Sequence, residues 1–296
     1  MSKYSEKLFS GQIPTDSDWA EHLIEAHKIT PSMTPYAFAP YKTKEGKNSY
    51  EILAETLLPS SGKAITVVDL ACGDGHLIQY LLPHLGQEGK VIGVDMSEAE
   101  LTIARKTYRE PRIQFQCTEA QTLPIQDQSV DYVLSHMAFM LMLPVEPVVA
   151  ELARVLKPAG KFSAVIGNPK GRQGLFGDMM KVAFQFMDSR HPKIKEAKTG
   201  DSRVNSEEGL ARLFNPNLGF SRVSAMHDFE LLVDIAPSET WDWVKDMYFI
   251  GMLPESEKVL LKEELITFAK TKSDSTGRFK FSSPMRKFSV EKSEKR

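Results

Sequence analysis

In the stretch Val67-Val68-Asp69-Leu70-Ala71-Cys72-Gly73-Asp74-Gly75-His76-Leu77, an apolar run carrying one carboxylate leads into a turn with two glycines, and a helical pattern follows directly. Glycine at Gly73 and Gly75 tolerates positive φ and lets the backbone approach a ligand closely. Free N–H groups at the start of the helix behind would receive an anionic or carboxylate-bearing group. Asp69, on the strand just before the turn, would repel a pyrophosphate and suits a ligand with a cationic amino group. The dinucleotide fingerprint wants a third glycine, but His76, Leu77 and Ile78 follow, and no P-loop lysine is present.

Three further positions repeat the theme of a polar group at the end of an apolar run. Asp95 ends Val91-Ile92-Gly93-Val94 and is placed to take both hydroxyls of a ribose; capping the helix that begins near Ser97 is its alternative role. Glu119, in Cys117-Thr118-Glu119-Ala120, could accept a hydrogen bond from an adenine amino group with Ala120 leaving room for the ring, or stand in solvent. His136 follows the fourth apolar run, Val130 to Ser135. It titrates near neutrality unless perturbed, which makes it the candidate general base; closing the strand end through a backbone hydrogen bond is the alternative.

The elements that must position these groups follow from the alternation of pattern. Short β-branched runs are expected as strands at 65–70, 91–94, 113–116, 130–135 and 161–166, with helices at 77–85, 97–108 and 146–156 between them. Such alternation implies a parallel sheet covered by helices on both faces. Upstream, an amphipathic helix is expected at 49–58 and a short one at 18–26 capped by Asp16 or Ser17, with 30–38 an irregular, proline-punctuated arm. Downstream, helices are expected at 174–188, 206–214, 238–252 and 255–272, an extended stretch at 220–233 and a last strand near 285–291. Residues 1–48 therefore read as an arm or lid and 49–296 as one domain. Two helical insertions, at about 170–215 and 236–275, show little sign of a core of their own.

Composition excludes several classes. The chain has 296 residues, 42% of them hydrophobic, and a net charge of -2. That is no footprint for a nucleic-acid partner, which selects a basic face; the basic tail from Arg286 to Arg296 is diluted by Glu291 and Glu294. Cys72 and Cys117 are the two cysteines; isolated thiols suit a reducing compartment and cannot build a structural zinc site, so no metal is expected. The N-terminus lacks an apolar run of signal-peptide length and no stretch approaches the roughly 20 apolar residues of a membrane span. A cytoplasmic protein without a membrane or nucleic-acid partner is expected; the oligomeric state is left open.

Taken in order, the stretches 67–75, 91–97, 118–124 with Ser129-Val130-Asp131-Tyr132-Val133, and 152–160 with Leu156-Lys157-Pro158-Ala159-Gly160 resemble the class I S-adenosylmethionine-dependent methyltransferases, in particular their small-molecule branch known as methyltransferase type 11. The resemblance implies a Rossmann-like, doubly wound α/β fold of seven strands, mostly parallel with one antiparallel strand supplied by 278–290, and helical substrate covers. It implies that Asp69, Gly73 and Gly75 hold the methionine end of S-adenosylmethionine, Asp95 the ribose and Glu119-Ala120 the adenine. Ser135 would line the floor near the methyl group, and Tyr50, Ala71 and Met96 complete the expected cofactor set. Glu119 stands where the family usually has Asp, and Ala159 where it usually has Gly.

Methyl transfer from an activated sulfonium needs chiefly alignment, with a base only if the acceptor must lose a proton. Ser135-His136-Met137-Ala138 lacks the Asn/Asp-Pro-Pro-Tyr/Phe signature of amino methyltransferases acting on bases or glutamine. Met137, Phe139, Met140 and Met142, with Phe176, Met179, Met180, Phe184, Phe186 and Met187 and then Trp241, Trp243, Met247, Tyr248 and Phe249, make stripes that serve as core or as an adaptable apolar wall. The expectation is a small apolar or aromatic acceptor, a secondary metabolite or quinone precursor. The alternatives are a catalytically silent binding protein on the same fold, a protein or RNA methyltransferase, and a dehydrogenase, the last disfavoured by the missing glycine.

Overall fold

The structure, a computed structural model, describes residues 1–168 and 173–294. Residues 169–172 and 295–296, which include the start of the first expected insertion and two cations of the basic tail, lie outside the described residues. Three helices open the chain, α1 (Lys3–Phe9), α2 (Asp16–Ile29) and α3 (Met33–Phe38). Then come α4 (Ser49–Ala54), β1 (Thr66–Leu70), α5 (Ile78–Leu81), β2 (Lys90–Asp95), α6 (Glu98–Thr107), β3 (Ile113–Cys117), β4 (Val130–His136), α7 (Val145–Val155) and β5 (Leu156–Gly167). The second half carries α8 (Gly174–Arg190), α9 (Glu207–Leu213), β6 (Phe220–Ile235), α10 (Thr240–Val244), α11 (Tyr248–Gly251), α12 (Glu255–Thr271) and β7 (Phe279–Lys292).

The seven strands form one sheet in the order β3-β2-β1-β4-β5-β7-β6. All neighbours are parallel except β7, which runs antiparallel to both β5 and β6. The chain winds outward in opposite directions from β1 and β4, so a crevice opens at their carboxyl ends, where ligands bind in open α/β sheets. Alternation along each strand sends neighbours to opposite faces. Val68, Leu70 and Val133 join one fully buried cluster with Val148, Val149 and Leu152 of α7. Val67 and Leu134 join the other with Leu53 and Leu57 of the α4 region and Ile78 of α5. Burial of each such side chain stabilises by roughly 1.5–3 kcal/mol, and the two faces together fix the register that brings the strand tips level.

Several elements differ from the sequence expectation, each for a local reason. Thr15, not Asp16 or Ser17, caps α2, in a reciprocal capping box with Asp18. The expected irregular arm contains α3, because Pro35 falls in its first turn, where the missing N–H costs no hydrogen bond. The helix expected at 77–85 is a four-residue α5 followed by a 3-10 turn over Leu82–His84. Pro83 cannot donate to the ladder there, so no long helix backs the glycine turn. The expected helix at 238–252 is broken into α10 and α11. Finally, the apolar residues of the insertions join a cluster continuous with Val233, Ile235, Phe279 and Phe281 of β6 and β7. Met179, Ala183 and Met187 of α8 pack with Val244, Ile250, Leu261 and Leu265, against Phe279 at the far end of β7.

Candidate active site

Two adjoining cavities lie at this edge of the sheet, the smaller over the carboxyl ends of β1, β2 and β4 and the larger beyond the ends of β4 and β5 beside β7. The smaller, about 130 Å³, is lined by Asp69 to Asp74, His76, Asp95 to Ser97, Glu119, His136 and, from the arm and the second insertion, Trp19, His27 and Tyr248. The larger, about 770 Å³, is walled by Met137, Met140, Phe176, Met180, Trp243, Met247 and Phe249. Trp19, Thr34, Met137, Leu141 and Tyr248 line both cavities.

The turn after β1 is bent to make the first cavity. Ala71 has φ 58° and Gly73 φ 54°, and a non-glycine residue held there is strained by about 1–3 kcal/mol, a cost met where the surroundings fix it. Cys72 donates its N–H to Val94 O at 2.9 Å. Gly73 donates to Asp95 Oδ2 at 2.8 Å, and Ser97 donates to Asp95 Oδ1 at 2.8 Å. Asp95 thus clamps the turn to β2 and also serves the start of α6, while each oxygen keeps a further lone pair for a ligand. Asp95 does not itself cap the helix, the alternative foreseen for it, but steadies Ser97, which does so with its own side chain, and that contact is compatible with ligand binding.

The electrostatics of this cavity are one-sided. Asp69, Asp74, Asp95, Glu100 and Glu119 line it, with no lysine or arginine among its lining residues. Asp69 is 1% exposed and its Oδ2 has no hydrogen-bond partner. Burial first, and the neighbouring Asp95 and Asp74 charges second, raise its carboxyl well above the usual range. Burial likewise raises Asp95, against the two N–H groups that lower it. Buried charges persist when something pairs with them, so the pocket is built for a cation. A pyrophosphate would meet only repulsion here, which removes the dinucleotide alternative. S-adenosylmethionine carries a sulfonium and an ammonium, and the residues fit it: a partnerless carboxylate at Asp69, a carboxylate at Asp95, and open space at Gly73, where an added Cβ would have no neighbour closer than 3.9 Å.

Of the expected cofactor residues, Tyr50, Asp69, Ala71, Gly73, Asp95, Met96, Glu119 and Ala120 come together on this cavity. Gly75 and Ser135 are not among its lining residues. Gly75 holds the turn from behind, at φ 80° with Tyr108 and Ile78 where a Cβ would go. Ser135 is fully buried with its Oγ partnerless, because strand alternation turns it away from the cavity that its neighbour His136 lines. Among the tyrosines near the arm, Tyr50 lines the cavity, Tyr36 lines the larger one, and Tyr41 lines neither.

His136 lines the first cavity, but its surroundings argue against a base. Its ring stacks on Tyr50 at 3.7 Å between centroids, and Nε2 bonds Ser49 Oγ at 2.8 Å. Burial, with a smaller push from His76, lowers the imidazole to about 3. Such a ring stays neutral and is a poor proton acceptor, so the general-base expectation is corrected to one of positioning Ser49 and Tyr50.

Sequence reasoning missed three residues of the site. Glu100, on the first turn of α6, is 1% exposed. Its Oε1 accepts from Ser32 N at 2.9 Å and lies 2.7 Å from His27 Nδ1. His27 Nε2 in turn lies 2.8 Å from the Tyr248 hydroxyl. The bonded groups are far apart along the chain, so no local pattern could have joined them; a buried-face glutamate on α6 was the one available signal.

Comparison with known proteins comes down on the same segment. A family described as a methyltransferase domain matches residues 67–160. The demethylmenaquinone methyltransferase of Staphylococcus saprophyticus is 32% identical over 182 residues, covering 58% of this chain and 76% of that one. The demethylmenaquinone methyltransferase of Lactobacillus johnsonii is 37% identical over 98 residues, covering 32% of this chain and 40% of that one. Among solved structures, that of a putative methyltransferase from Bacillus halodurans shares the fold, with a TM-score of 0.54 at 19% identity over 81% of this chain and 98% of that one.

Proposed function

The chain belongs to the class I S-adenosylmethionine-dependent methyltransferases, and from that premise we propose that it methylates a small apolar or aromatic acceptor held in the larger cavity. The observation that carries this reading is the wall shared by the two cavities. Met137, at φ 55° just past β4, lines both, so a molecule in one is in contact reach of a molecule in the other. At about 770 Å³ the larger cavity lies within the roughly 300–1,000 Å³ of small-molecule sites. Six methionines among its lining residues, Met33, Met137, Met140, Met180, Met247 and Met285, give it the adaptable surface such acceptors suit. A quinone-type ring, the kind of acceptor named for the curated relatives, is of the size and character this space accommodates.

When bound, S-adenosylmethionine supplies an electrophilic methyl group. The chain's own residues do the rest by placement. Asp69 accepts the ammonium through its partnerless Oδ2, Asp95 takes ribose hydroxyls on the lone pairs left by Gly73 and Ser97, and Glu119 reaches the adenine edge. Trp19, whose Nε1 donates to Leu141 O at 2.9 Å, pins α2 over both cavities and keeps water out. His136 stays neutral and holds Tyr50 in place.

The test is transfer of radiolabelled methyl to a panel of phenols, quinols, terpenoid alcohols, free amino acids and amines. Turnover of the apolar members supports the proposal; turnover confined to free amino acids overturns the acceptor class. Tight binding of S-adenosylhomocysteine without turnover of any acceptor would identify a silent binding protein instead.

A further inference from the structure

Glu100 is buried with no lysine or arginine partner among the described residues, only the His27 ring, and its two oxygens have different surroundings. Oε1 takes the Ser32 N–H and the His27 ring nitrogen. Oε2 has no partner and lies 3.9 Å from where a Cβ on Gly73 would stand, in the wall of the smaller cavity. An ionised carboxylate accepts on both oxygens, and a buried lone oxygen without a donor is costly.

The same carboxylate is the point where three separate parts of the chain meet. Ser32 and His27 belong to the arm, Glu100 to the core, and Tyr248 to the second insertion. α2 is tied to that insertion by two hydrogen bonds, His27 to the Tyr248 hydroxyl and His22 Nε2 to Tyr248 O at 3.0 Å. The cavity under this bridge, about 130 Å³, is less than half the roughly 300 Å³ at which small-molecule sites begin.

We propose that Glu100 is a further cofactor-binding residue, whose Oε2 accepts a donor from the bound cofactor while Oε1 draws the arm, and through His27 the second insertion, shut over both cavities. This rests on the reading of the smaller cavity as the cofactor site and extends it: the residue that contacts the cofactor also couples its arrival to formation of the acceptor cavity. Two donors on the cofactor have the required chemistry, a ribose hydroxyl and the ammonium. Cofactor is then bound before acceptor, because Tyr248 and Trp19 complete the wall of the larger cavity only in the closed arrangement.

Calorimetry with S-adenosylhomocysteine and with methylthioadenosine, which lacks the amino-acid end, tests the contact in Glu100→Gln. We expect S-adenosylhomocysteine to bind roughly tenfold more weakly than to the unaltered chain, with thermal unfolding showing the variant folded. Equal loss for methylthioadenosine assigns the contact to the ribose; loss for S-adenosylhomocysteine alone assigns it to the ammonium. Unchanged affinity for both overturns the proposal. Should the unaltered chain itself fail to bind S-adenosylhomocysteine, the underlying cofactor reading falls, and that outcome is distinct from the first. The coupling is read by hydrogen exchange. Saturating S-adenosylhomocysteine is expected to slow exchange at 16–32 and 248–251, and His27→Ala to at least halve the slowing at 248–251. Undiminished slowing there in His27→Ala overturns the coupling.

Discussion

Asp95 reaches from the tip of β2 to the backbone N–H of Gly73 at 2.8 Å, so the residue assigned to the ribose is also the one that shapes the turn assigned to the methionine end. The two halves of the cofactor site are therefore not independent.

Asp95→Ala removes a charge-assisted bond to the ligand and a strut beneath the turn. Loss of the first should weaken S-adenosylhomocysteine by roughly tenfold to a hundredfold, as expected for about 1.5–3 kcal/mol. Calorimetry checks this, and unchanged affinity refutes the ribose assignment. Asp95→Asn should fall between the two, since an amide still accepts from Gly73.

Asp69 is expected to trade stability for binding. Its carboxyl is raised above the ordinary 3.8 by burial and then by Asp95 and Asp74. Above that pH the unfolded chain releases a proton that the folded chain retains, so stability falls as pH rises from about 4. Asp69→Asn should raise the melting temperature of the ligand-free protein at neutral pH and flatten this dependence, while weakening S-adenosylhomocysteine. A variant both less stable and equally tight would contradict the account.

His136 gives the opposite slope. The folded ring is lowered from 6.5 to about 3, so on acidification the unfolded chain takes up a proton that the fold refuses. Stability should fall between about pH 6.5 and pH 3, and His136→Gln should lose that part of the dependence in urea titrations at a series of pH values. If His136 were instead the general base, the rate profile of the intact enzyme would carry an inflection near neutrality, and its absence is the outcome expected.

The larger cavity can be filled without touching the smaller. Ala37, half-buried on α3, lines the larger one alone. Ala37→Trp should raise the KM for bulky acceptors or abolish their turnover, with S-adenosylhomocysteine affinity unchanged. A simultaneous loss of both would mean that the cavities are not separable.

The sequence made the strand-tip carboxylates legible because each sits at the junction of an apolar run and a turn, a purely local signal. The seven strands and the single late antiparallel strand followed from the resemblance, although β7 starts at Phe279 and so is longer than the 285–291 read from pattern, and the strand order came only from the structure. Ser135 was misassigned because strand parity decides which of Ser135 and His136 faces the crevice, and parity needs the register. The His27–Glu100–Tyr248 bridge was illegible for a different reason: its parts join only through tertiary structure, and α11, which carries Tyr248, is four residues long. The stripes of methionine and aromatic residues proved to be both things at once. Phe139, Met179 and Met187 are fully buried core, while Met137, Met140, Phe176 and Met180 face the larger cavity.

β6 and β7 run on together as far as the pair Ile235 and Phe279. Opposed residues of an antiparallel pair have Cα atoms about 4.5–5.5 Å apart, so everything from α10 to α12 leaves and rejoins the chain at one doorway. A segment attached in this way can be exchanged in descent for another of different length without re-threading the sheet, provided that the newcomer brings an apolar face to cover Val233, Ile235, Phe279 and Phe281. The part of the larger cavity's wall that this segment carries, Trp243, Met247, Tyr248 and Phe249 among it, can thereby diversify as a cassette while the strand-tip carboxylates stay as they are.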